Sequence, residues 1–442
     1  MRSLPAFKSL YSKTVLKKMK IAIEGCCHGE LDNIYATLRH MESTKGIKID
    51  LLICCGDFQA VRNQADLHSM AVPTKYRKMQ SFHKYYSGEK VAPILTVFIG
   101  GNHESSSYLW ELPYGGWVCP NVYYLGYAGM VSYKGLRIGG ISGIYKKHHY
   151  HLEHFEIPPL HNESCRSIYH TRKIDVDKLK KIKKPIDIFF SHDWPLGIYN
   201  YGDKRDLIRR KPFFKDEIDR NALGSPCGFE LLRQLQPSYW FAGHLHVKFA
   251  AIVPHENREK QPKYTKFLAL DKCLPNRDFL QILEFAEKDP EIMNLSYDLE
   301  WLKILNSTHP VGEELSENEI LDAFGTDLTI PKNFERSAPL HLDNAVQASK
   351  SYHENSQTAR FCNKLKIINP CHSSSVASKP MLRDPVVNPE DIDFNNVKYA
   401  EVQNELNLDS NQSDCKQHIR QSERPYCLTN PINPDEIAID DE

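Results

Sequence analysis

The sequence predicts a layered α/β or α+β fold, in which buried β-strands are covered by helices. From Met19 onward, seven short apolar runs rich in Ile, Val and Phe recur along the chain. Runs of this kind are typical of buried strands. Polar segments with helical character, such as residues 31–47, lie between several of them. This alternation predicts a sheet core with helices packed on it.

The predicted strands come first and the predicted helical region follows. In chain order, the strands are 20–27, 49–57, 92–102, 135–143, 185–193, 237–246 and 266–273. After residue 287 the strand pattern stops, and segments 298–305 and 316–324 look helical. The second begins with Ser316 three residues before Glu319, which is the spacing of a capping box. We therefore expect a core of residues 19–287 followed by a mostly helical C-terminal domain of residues 288–370.

Composition restricts the class of protein. The chain has 442 residues, of which 41% are hydrophobic and 25% charged, and its 56 basic residues balance its 56 acidic residues. These values are ordinary for a globular protein and exclude a collagen-like, wholly disordered or polytopic membrane chain. The twelve cysteines form no CxxC pair and lack a secretory signal, so we expect mostly buried thiols in a reducing compartment.

The two ends differ from the rest of the chain. Residues 1–18 contain five basic residues and no acidic residue. They are either a mitochondrial presequence or a dispensable basic extension ahead of Met19. At the other end, residues 401–442 contain ten acidic residues against three basic ones. We predict a disordered acidic tail over residues 371–442.

Potential metal ligands stand where the predicted strands end. In chain order they are Cys26, His28, Asp57, Asn102, His103, His192, His244 and His246. Loops at the ends of strands converge on one edge of a layered sheet fold, which brings such residues together. Imidazole, carboxylate, amide and thiolate groups suit a borderline metal such as Zn, Fe or Mn. His244 and His246 would point the same way if that segment were extended.

These motifs resemble those of the calcineurin-like metallophosphoesterases, over residues 19 to about 273. The series GD at 56–57, GNHE at 101–104, a later histidine and GHLH at 243–246 is similar to the signature of that family. One position departs from it, because Cys26 stands where the family usually has Asp. That departure, with GDFQAVRN at 56–63, SHDWP at 191–195 and NSQTARFCNKLKI at 355–367, resembles the RNA lariat debranching enzymes in particular.

The resemblance implies a fold of two packed β-sheets flanked by helices and a role for each site residue. One metal pocket would use Cys26, His28, Asp57 and His246. The other would use Asp57, Asn102, His192 and His244, with Asp57 bridging. His103 would act as the general acid that protonates the departing 2′ oxygen. A thiolate at position 26 favours Zn or Fe(II), with Mn able to substitute, and it would alternatively leave the first pocket weak or vacant.

A segment rich in aromatic and basic residues is the candidate for substrate recognition. In debranching enzymes the equivalent insertion, here at about 120–170, looks like a lariat recognition loop. Splayed bases stack on aromatic rings while basic groups hold phosphates. The candidate contacts are Tyr123, Tyr127, Tyr145, Lys146 and His148. An aromatic-rich structural subdomain is the alternative, and the basic run 204–215 is a second candidate for phosphate contacts.

The expected function is hydrolysis of the 2′–5′ phosphodiester bond at the branch point of excised intron lariats. The expected partner is therefore branched lariat RNA, with no membrane and no DNA partner, and the expected location is the nucleus. Two alternatives stay open. One is a calcineurin-like phosphoesterase acting on a cyclic nucleotide or phosphoprotein, and the other is a non-catalytic scaffold with the same fold.

Overall fold

A computed structural model describes residues 17–256, 262–289, 292–310, 313–341 and 354–371. The strands are β1 (Lys18–Glu24), β2 (Leu51–Cys54), β3 (Thr96–Phe98), β4 (Gly116–Cys119), β5 (Val122–Tyr124), β6 (Ala128–Tyr133), β7 (Leu136–Ile141), β8 (Ile188–Ser191), β9 (Tyr239–Ala242), β10 (Phe249–His255), β11 (Lys263–Ala269), β12 (Leu280–Ala286) and β13 (Ser296–Tyr297). The helices are α1 (Leu31–Lys45), α2 (Phe82–Ser87), α3 (Ser106–Trp110), α4 (Lys147–Tyr150), α5 (Asn162–Ser167), α6 (Lys173–Leu179), α7 (Lys204–Arg210), α8 (Phe214–Asp219), α9 (Pro226–Leu235), α10 (Leu299–Ser307), α11 (Glu317–Phe324) and α12 (Ser356–Leu365).

The described strands form two mixed sheets. The first has six strands in the order β12-β1-β2-β3-β5-β4, and the second has seven in the order β10-β11-β9-β8-β7-β6-β13. Strands β1, β2, β3 and β5 run parallel in the first sheet. Strands β7, β8, β9 and β11 run parallel in the second. The layered fold with two sheets flanked by helices is therefore confirmed.

Alternate residues of the strands pack on opposite faces of each sheet. Ile23 and Ile53 of the first sheet belong to one apolar cluster with Phe190 and Phe241 of the second. The opposite face of the first sheet packs on α1, and the opposite face of the second packs on α6 and α9. This alternation follows from the two-residue period of a strand. It explains why the parallel strands read as continuous apolar runs.

All seven predicted strands are present. The other described strands were not predicted, because they do not form continuous apolar runs in the sequence. Strand β12 pairs antiparallel with β1 at the edge of the first sheet, and four of its seven residues are half-buried. Strand β10 lies at the edge of the second sheet and alternates buried with more exposed residues. Edge strands of this kind lack the uninterrupted apolar run of a central strand.

The helices predicted after residue 287 are present and pack on the second sheet. Trp301 of α10, Ile320 of α11 and Leu365 of α12 are buried in the cluster that also contains Trp240 of β9. The predicted capping box at the start of α11 is confirmed, since the Ser316 hydroxyl accepts the Glu319 backbone N–H. Most of segment 355–367 forms α12, and the side chain of its N-cap residue, Asn355, accepts the backbone N–H of Gln357.

Part of the predicted recognition insertion is sheet. Strands β5, β6 and β7 occupy most of residues 122–141, and β6 and β7 pair with each other across a tight turn. The start at about 120 is therefore placed too early, because the aromatic and glycine content of this stretch hides its strand alternation. The segment that leaves the sheets runs from residue 144 to 172 and contains α4 and α5. We call it the recognition segment.

Other predictions concern thiols, membranes and the two ends. Ten cysteines lie in the described residues, and all ten are buried free thiols, as expected. The search of the described residues finds no helix long and apolar enough to cross a membrane. The basic extension, apart from Lys17 and Lys18, and the acidic tail, apart from Cys371, lie outside the described residues. Leu274–Arg277 forms a separate short turn.

Candidate metal centre

The predicted ligands converge at the carboxyl ends of the parallel strands. They follow β1, β2, β3, β8 and β9, which place five loops at one edge of the two sheets. Four of the residues have left-handed backbone angles, with φ of 46° for His28, 47° for Asp57, 66° for His244 and 47° for His246. The condition under which strand alternation would align His244 and His246, an extended segment, is therefore not met. Tight turns, rather than strand alternation, direct both side chains.

Two glycines leave room for the site side chains. A Cβ atom on Gly56, whose φ is 111°, would lie 2.3 Å from Nδ1 of His192. A Cβ atom on Gly101 would lie 2.2 Å from Oδ1 of Asp57. Real atoms do not approach this closely, so any side chain here would displace a candidate ligand. Both glycines are therefore required for space, and Gly56 is required for its backbone turn as well.

The residues of the first predicted pocket are together. One ligand atom from each of Cys26, His28, Asp57 and His246 lies within 4.8 Å of the others. Nε2 of His28 is 3.3 Å from Nε2 of His246 and 3.6 Å from Oδ2 of Asp57. Cys26 is buried, and its Sγ accepts the backbone N–H of His244 at 2.9 Å. One ion could therefore reach all four side chains.

The residues of the second predicted pocket lie on the other side of Asp57. Nε2 of His192 is 3.4 Å from Oδ1 of Asp57 and 3.1 Å from Oδ1 of Asn102. The ring of His244 lies 4.9 Å from that of His192, measured between centroids. The two oxygens of Asp57 therefore face two different groups of ligands. This arrangement is the one that a bridging carboxylate requires.

His103 is one of the partly exposed residues of the centre. Its side chain is 34% exposed, whereas the Asp57 and His192 side chains are almost fully buried. Its Nδ1 lies 3.5 Å from Oδ2 of Asp57, and its backbone N–H donates to Oδ1 of the same residue at 2.8 Å. Asp57 thus orients His103, and the rest of the ring is open to an incoming substrate.

Burial sets the protonation of the centre. It lowers the pKa of His28 and of His244 to about 3 and lowers that of His246 well below the ordinary range. Burial alone would raise the pKa of Asp57, but three neighbouring imidazoles hold it well below its usual range. The histidines are therefore neutral and the carboxyl ionised at pH 7. These are the forms that bind metal ions.

The donor set fits a divalent transition metal. The first group offers one thiol, two imidazoles and one carboxylate, and the thiol would bind as the thiolate. Burial raises the pKa of the Cys26 thiol, so deprotonation depends on the charge of a bound cation. Soft sulfur and borderline nitrogen ligands favour Zn or Fe(II) over Mg. A divalent cation is thus consistent with these residues.

His192 and the loops that carry the ligands are held by hydrogen bonds. One of the residues that form them, Glu104, was not predicted from the sequence. Nδ1 of His192 lies 2.8 Å from the carbonyl of Cys55, so Nδ1–H donates there and Nε2 is left for a metal. The carboxylate of Glu104 accepts backbone N–H groups from Phe58, Gln59 and Gly101 at 2.7 to 2.9 Å. Glu104 therefore ties the loop after β2 to the loop after β3. Its position beside His103 is the signal that could have identified it.

The structure contradicts one predicted substrate contact. Tyr123 lies in β5, is 3% exposed, and packs its ring against Trp117 between the sheets. Strand alternation turns this ring into the core, so it cannot stack on a base. Tyr127 is half-buried, and the ring of His154 covers one face of it at 3.9 Å.

The other three predicted contacts begin the recognition segment, next to the metal centre. The backbone N–H of Tyr145 donates to Asp193, the residue after the ligand His192, at 3.2 Å. Tyr145 and Lys146 are half-buried, and His148 is exposed. Gly143 donates its N–H to the carbonyl of Gly100 at 2.8 Å, so this segment starts at the loop that carries Asn102.

The second basic candidate, residues 204–215, forms helix α7 and the start of α8. Its charges are partly neutralised within the same helices. Arg209 and Arg210 both pair with Asp206, and Lys215 pairs with Asp219. Exposed pairs of this kind are common on solvated helix faces.

Comparisons with known proteins agree with this geometry. The family model described as calcineurin-like phosphoesterase matches residues 19–248. The model described as the lariat debranching enzyme C-terminal domain matches residues 262–320 and 311–370. The first match covers the loops that carry all the predicted ligands, and the second covers α10, α11 and α12.

Several curated proteins are similar over most of the chain. Lariat debranching enzyme A of Xenopus laevis is 47% identical over 450 residues, which cover 96% of this chain and 81% of that protein. The lariat debranching enzyme of Homo sapiens is 47% identical over 453 residues, covering 96% and 80%. That of Arabidopsis thaliana is 56% identical over 296 residues, covering 66% and 70%. The similarity therefore extends well beyond the phosphoesterase domain.

Proposed function

The chain belongs to the lariat debranching enzymes, and from this premise we propose how its residues open a branched RNA. The protein is a hydrolase of the calcineurin-like phosphoesterase class that debranches RNA lariats. The reaction breaks the 2′–5′ phosphodiester bond at the branch point, which leaves a 2′-hydroxyl on the branch nucleotide and a 5′-phosphate on the released one. The observation that carries the proposal is the convergence of the other six predicted ligands and His103 around Asp57.

Two groups of side chains would hold divalent cations on either side of Asp57. Cys26, His28 and His246 belong to the first group, and Asn102, His192 and His244 to the second, with Asp57 shared. Cations bound there would polarise the phosphoryl oxygens and lower the pKa of the attacking water. The thiol of Cys26 favours Fe(II) or Zn, and Mn would substitute because it accepts nitrogen and oxygen ligands.

His103 is the residue proposed to move a proton. The bond to the 2′ oxygen breaks as water adds to phosphorus, and that oxygen needs a proton as it leaves. The His103 side chain is partly exposed, and its Nδ1 lies 3.5 Å from Oδ2 of Asp57. The proposed donor is Nε2–H, on the side of the ring opposite the nitrogen that faces Asp57. General acid catalysis of this kind contributes about 10² to 10⁴ in rate.

The recognition segment is the proposed source of branch selectivity. It starts at the metal centre with Tyr145 and Lys146 and continues with the exposed Lys147 and His148. A branch point displays bases that no helix pairs, and aromatic rings and basic groups bind such bases and their phosphates. Location in the nucleus follows from the same proposal, since lariats are made where introns are excised.

The experiment that tests the proposed function is a substrate panel with the full chain. The panel contains an RNA with one 2′–5′ branch, its linear 3′–5′ counterpart, a cyclic nucleotide and a phosphopeptide, each with Fe(II), Zn or Mn. We expect cleavage of the branched RNA alone, at the branch. Cleavage of the linear RNA at many positions would contradict branch selectivity. Turnover of only the cyclic nucleotide or phosphopeptide would reassign the substrate, and no turnover by metal-loaded protein would favour a scaffold.

A further inference from the structure

Three histidines gather in the recognition segment, away from the residues of the metal centre. His148 and His149 belong to α4, and His170 follows α5. One ring nitrogen from each lies within 4.8 Å of the other two. The ring centroids are 4.2 Å apart for His148 and His149, 4.9 Å for His149 and His170, and 6.1 Å for His148 and His170. We call these residues the histidine cluster.

The backbone that carries the cluster is held by a buried ion pair. The side chain of Arg172 is fully buried and pairs with Glu156 at 2.6 Å. The same guanidinium donates to the carbonyls of His149 at 2.7 Å and of Ser167 at 3.1 Å. His170 is itself 6% exposed, and its strand-like bridge to Ile144 fixes it from the other side. The imidazoles are therefore pre-positioned, and Glu156 neutralises the charge of the nearby arginine.

Two of the rings face each other through nitrogen atoms. Nδ1 of His149 lies 2.6 Å from Nδ1 of His170. A hydrogen bond between two neutral rings would explain this pair, but it does not explain why a third imidazole is brought to the same point. Burial lowers the pKa of His149 and lowers that of His170 to about 2, with neighbouring positive groups adding to the effect. Both rings are thus neutral at pH 7 and can offer a lone pair.

We propose that His148, His149 and His170 bind one Zn²⁺ ion at a site separate from the metal centre. Three imidazoles and an open fourth position form a common zinc site, and the exposed His148 leaves that position to solvent. Tetrahedral binding separates ligand nitrogens by about 3.3 Å, so His149 and His170 would move apart by less than about 1 Å. The ion would fasten α4 to the turn that precedes Arg172. His148 would then be a metal ligand rather than an RNA contact.

The test counts zinc in the full chain and locates its effect. Metal-free wild type, His148→Ala, His149→Ala and His151→Ala are incubated with excess Zn²⁺, desalted and assayed for zinc by mass spectrometry. His151 is the matched control, because it lies in the same segment but outside the cluster. Hydrogen–deuterium exchange of peptides within residues 144–172 is then compared with and without Zn²⁺.

We expect wild type and His151→Ala to retain one more equivalent of zinc than His148→Ala and His149→Ala. Zinc should slow exchange in the recognition segment of wild type and of the control only. His148 is exposed, so its removal leaves the packing of the segment in place. Equal zinc content in all four proteins would overturn the proposal, as would loss of the same equivalent from His151→Ala. Neither readout requires debranching activity, so the outcome is independent of the proposed function.

Discussion

Asp57 shows how a single residue can organise two groups of ligands. It is 1% exposed and follows β2 in a left-handed conformation, and its two oxygens face His28 on one side and His192 on the other. A buried carboxylate is costly unless it is paired or bound to a cation. The backbone N–H of His103, which donates to Oδ1 of Asp57, offsets part of this cost, and a cation bound by the surrounding ligands would offset more. The sequence could identify Asp57 because it stands directly after a predicted strand, beside a glycine.

Cys26 and Cys27 are adjacent but have different surroundings. Cys27 is buried in the cluster between the first sheet and α1. Cys26 instead lies with the candidate ligands. The two adjacent thiols, which follow the end of β1, therefore face different surroundings. Strand alternation does not describe His244 and His246, because a turn with positive φ follows β9.

Replacing Cys26 with aspartate should change the metal preference and leave the fold intact. A carboxylate oxygen can accept the His244 N–H that Sγ accepts now. Carboxylates favour Mn and Mg relative to Zn and Fe(II), whereas thiolates favour the latter. We expect Cys26→Asp to unfold at the wild-type temperature but to bind less Zn from an equimolar mixture of Zn and Mn.

Metal analysis after desalting measures this preference, with Cys27→Ala as the control. Cys27 contributes to packing only, so its replacement should leave the metal ratio unchanged. Identical metal content and activity in Cys26→Asp and wild type would show that the thiol is not a ligand.

At the scale of elements, the C-terminal part of the chain is bound to the phosphoesterase core by a network around Glu111. Its carboxylate accepts from Arg62 at 2.7 Å, from Ser337 at 2.5 Å and from Asn355 at 3.2 Å. Arg62 is 5% exposed and lies in the loop that follows Asp57. The segment before α12 thus supports the loop that carries a candidate ligand. Through these contacts, the stability of the C-terminal region affects the position of the loop that carries Asp57.

Glu111→Gln should destabilise the protein by about 2 to 3 kcal/mol, because it leaves the buried Arg62 with Asp66 as its remaining carboxylate partner. Chemical denaturation measures the change in the free energy of unfolding. Glu335→Gln is the control, since Glu335 pairs with Arg360 on the surface and should contribute little. Equal effects of the two substitutions would argue against the network.

The recognition segment leads to a separate prediction about RNA affinity. Lys146 and Lys147 start α4 next to the metal centre and are the basic residues closest to Tyr145 in the chain. Each phosphate contact with single-stranded RNA adds about 0.7 to the slope of log affinity against log salt. We expect Lys146→Ala/Lys147→Ala to weaken binding of branched RNA several-fold and to reduce this slope.

Filter binding at several salt concentrations measures the slope. The control is Lys183→Ala/Lys184→Ala, which removes two exposed lysines that precede β8 on another part of the surface. If both double variants weaken binding equally, the effect is one of overall charge, and the recognition segment has no special role.

Local features of the elements could be predicted from the sequence, but contacts between distant segments could not. Helix α11 could be predicted from Ser316 and Glu319, because a capping box is a local signal. Two partners of Glu111, Ser337 and Asn355, are more than 200 residues away along the chain, and no local pattern reports such a contact. The strands β6 and β7 were assigned to the insertion for a related reason, since their glycines and tyrosines read as a loop until the pairing is known.

At the scale of the whole molecule, two mixed sheets bring five separate loops to one edge. The parallel strands at the middle of each sheet were predicted because they are buried on both faces and appear as uninterrupted apolar runs. Their order and the antiparallel edges could not be predicted, because pairing depends on contacts distant in sequence. The position of the centre could be predicted, since polar residues at strand ends converge whatever the strand order.

The central claim is that this centre, with His103 as proton donor, cleaves the branch-point bond. The most direct measurement is single-turnover cleavage of a synthetic RNA that carries one 2′–5′ branch, by wild type and by His103→Asn with equal metal content. We predict cleavage only at the branch by wild type, and a loss of about 10²-fold or more in the variant. A His103→Asn variant that cuts the branch at the wild-type rate, or wild type that cuts 3′–5′ bonds equally well, would contradict it.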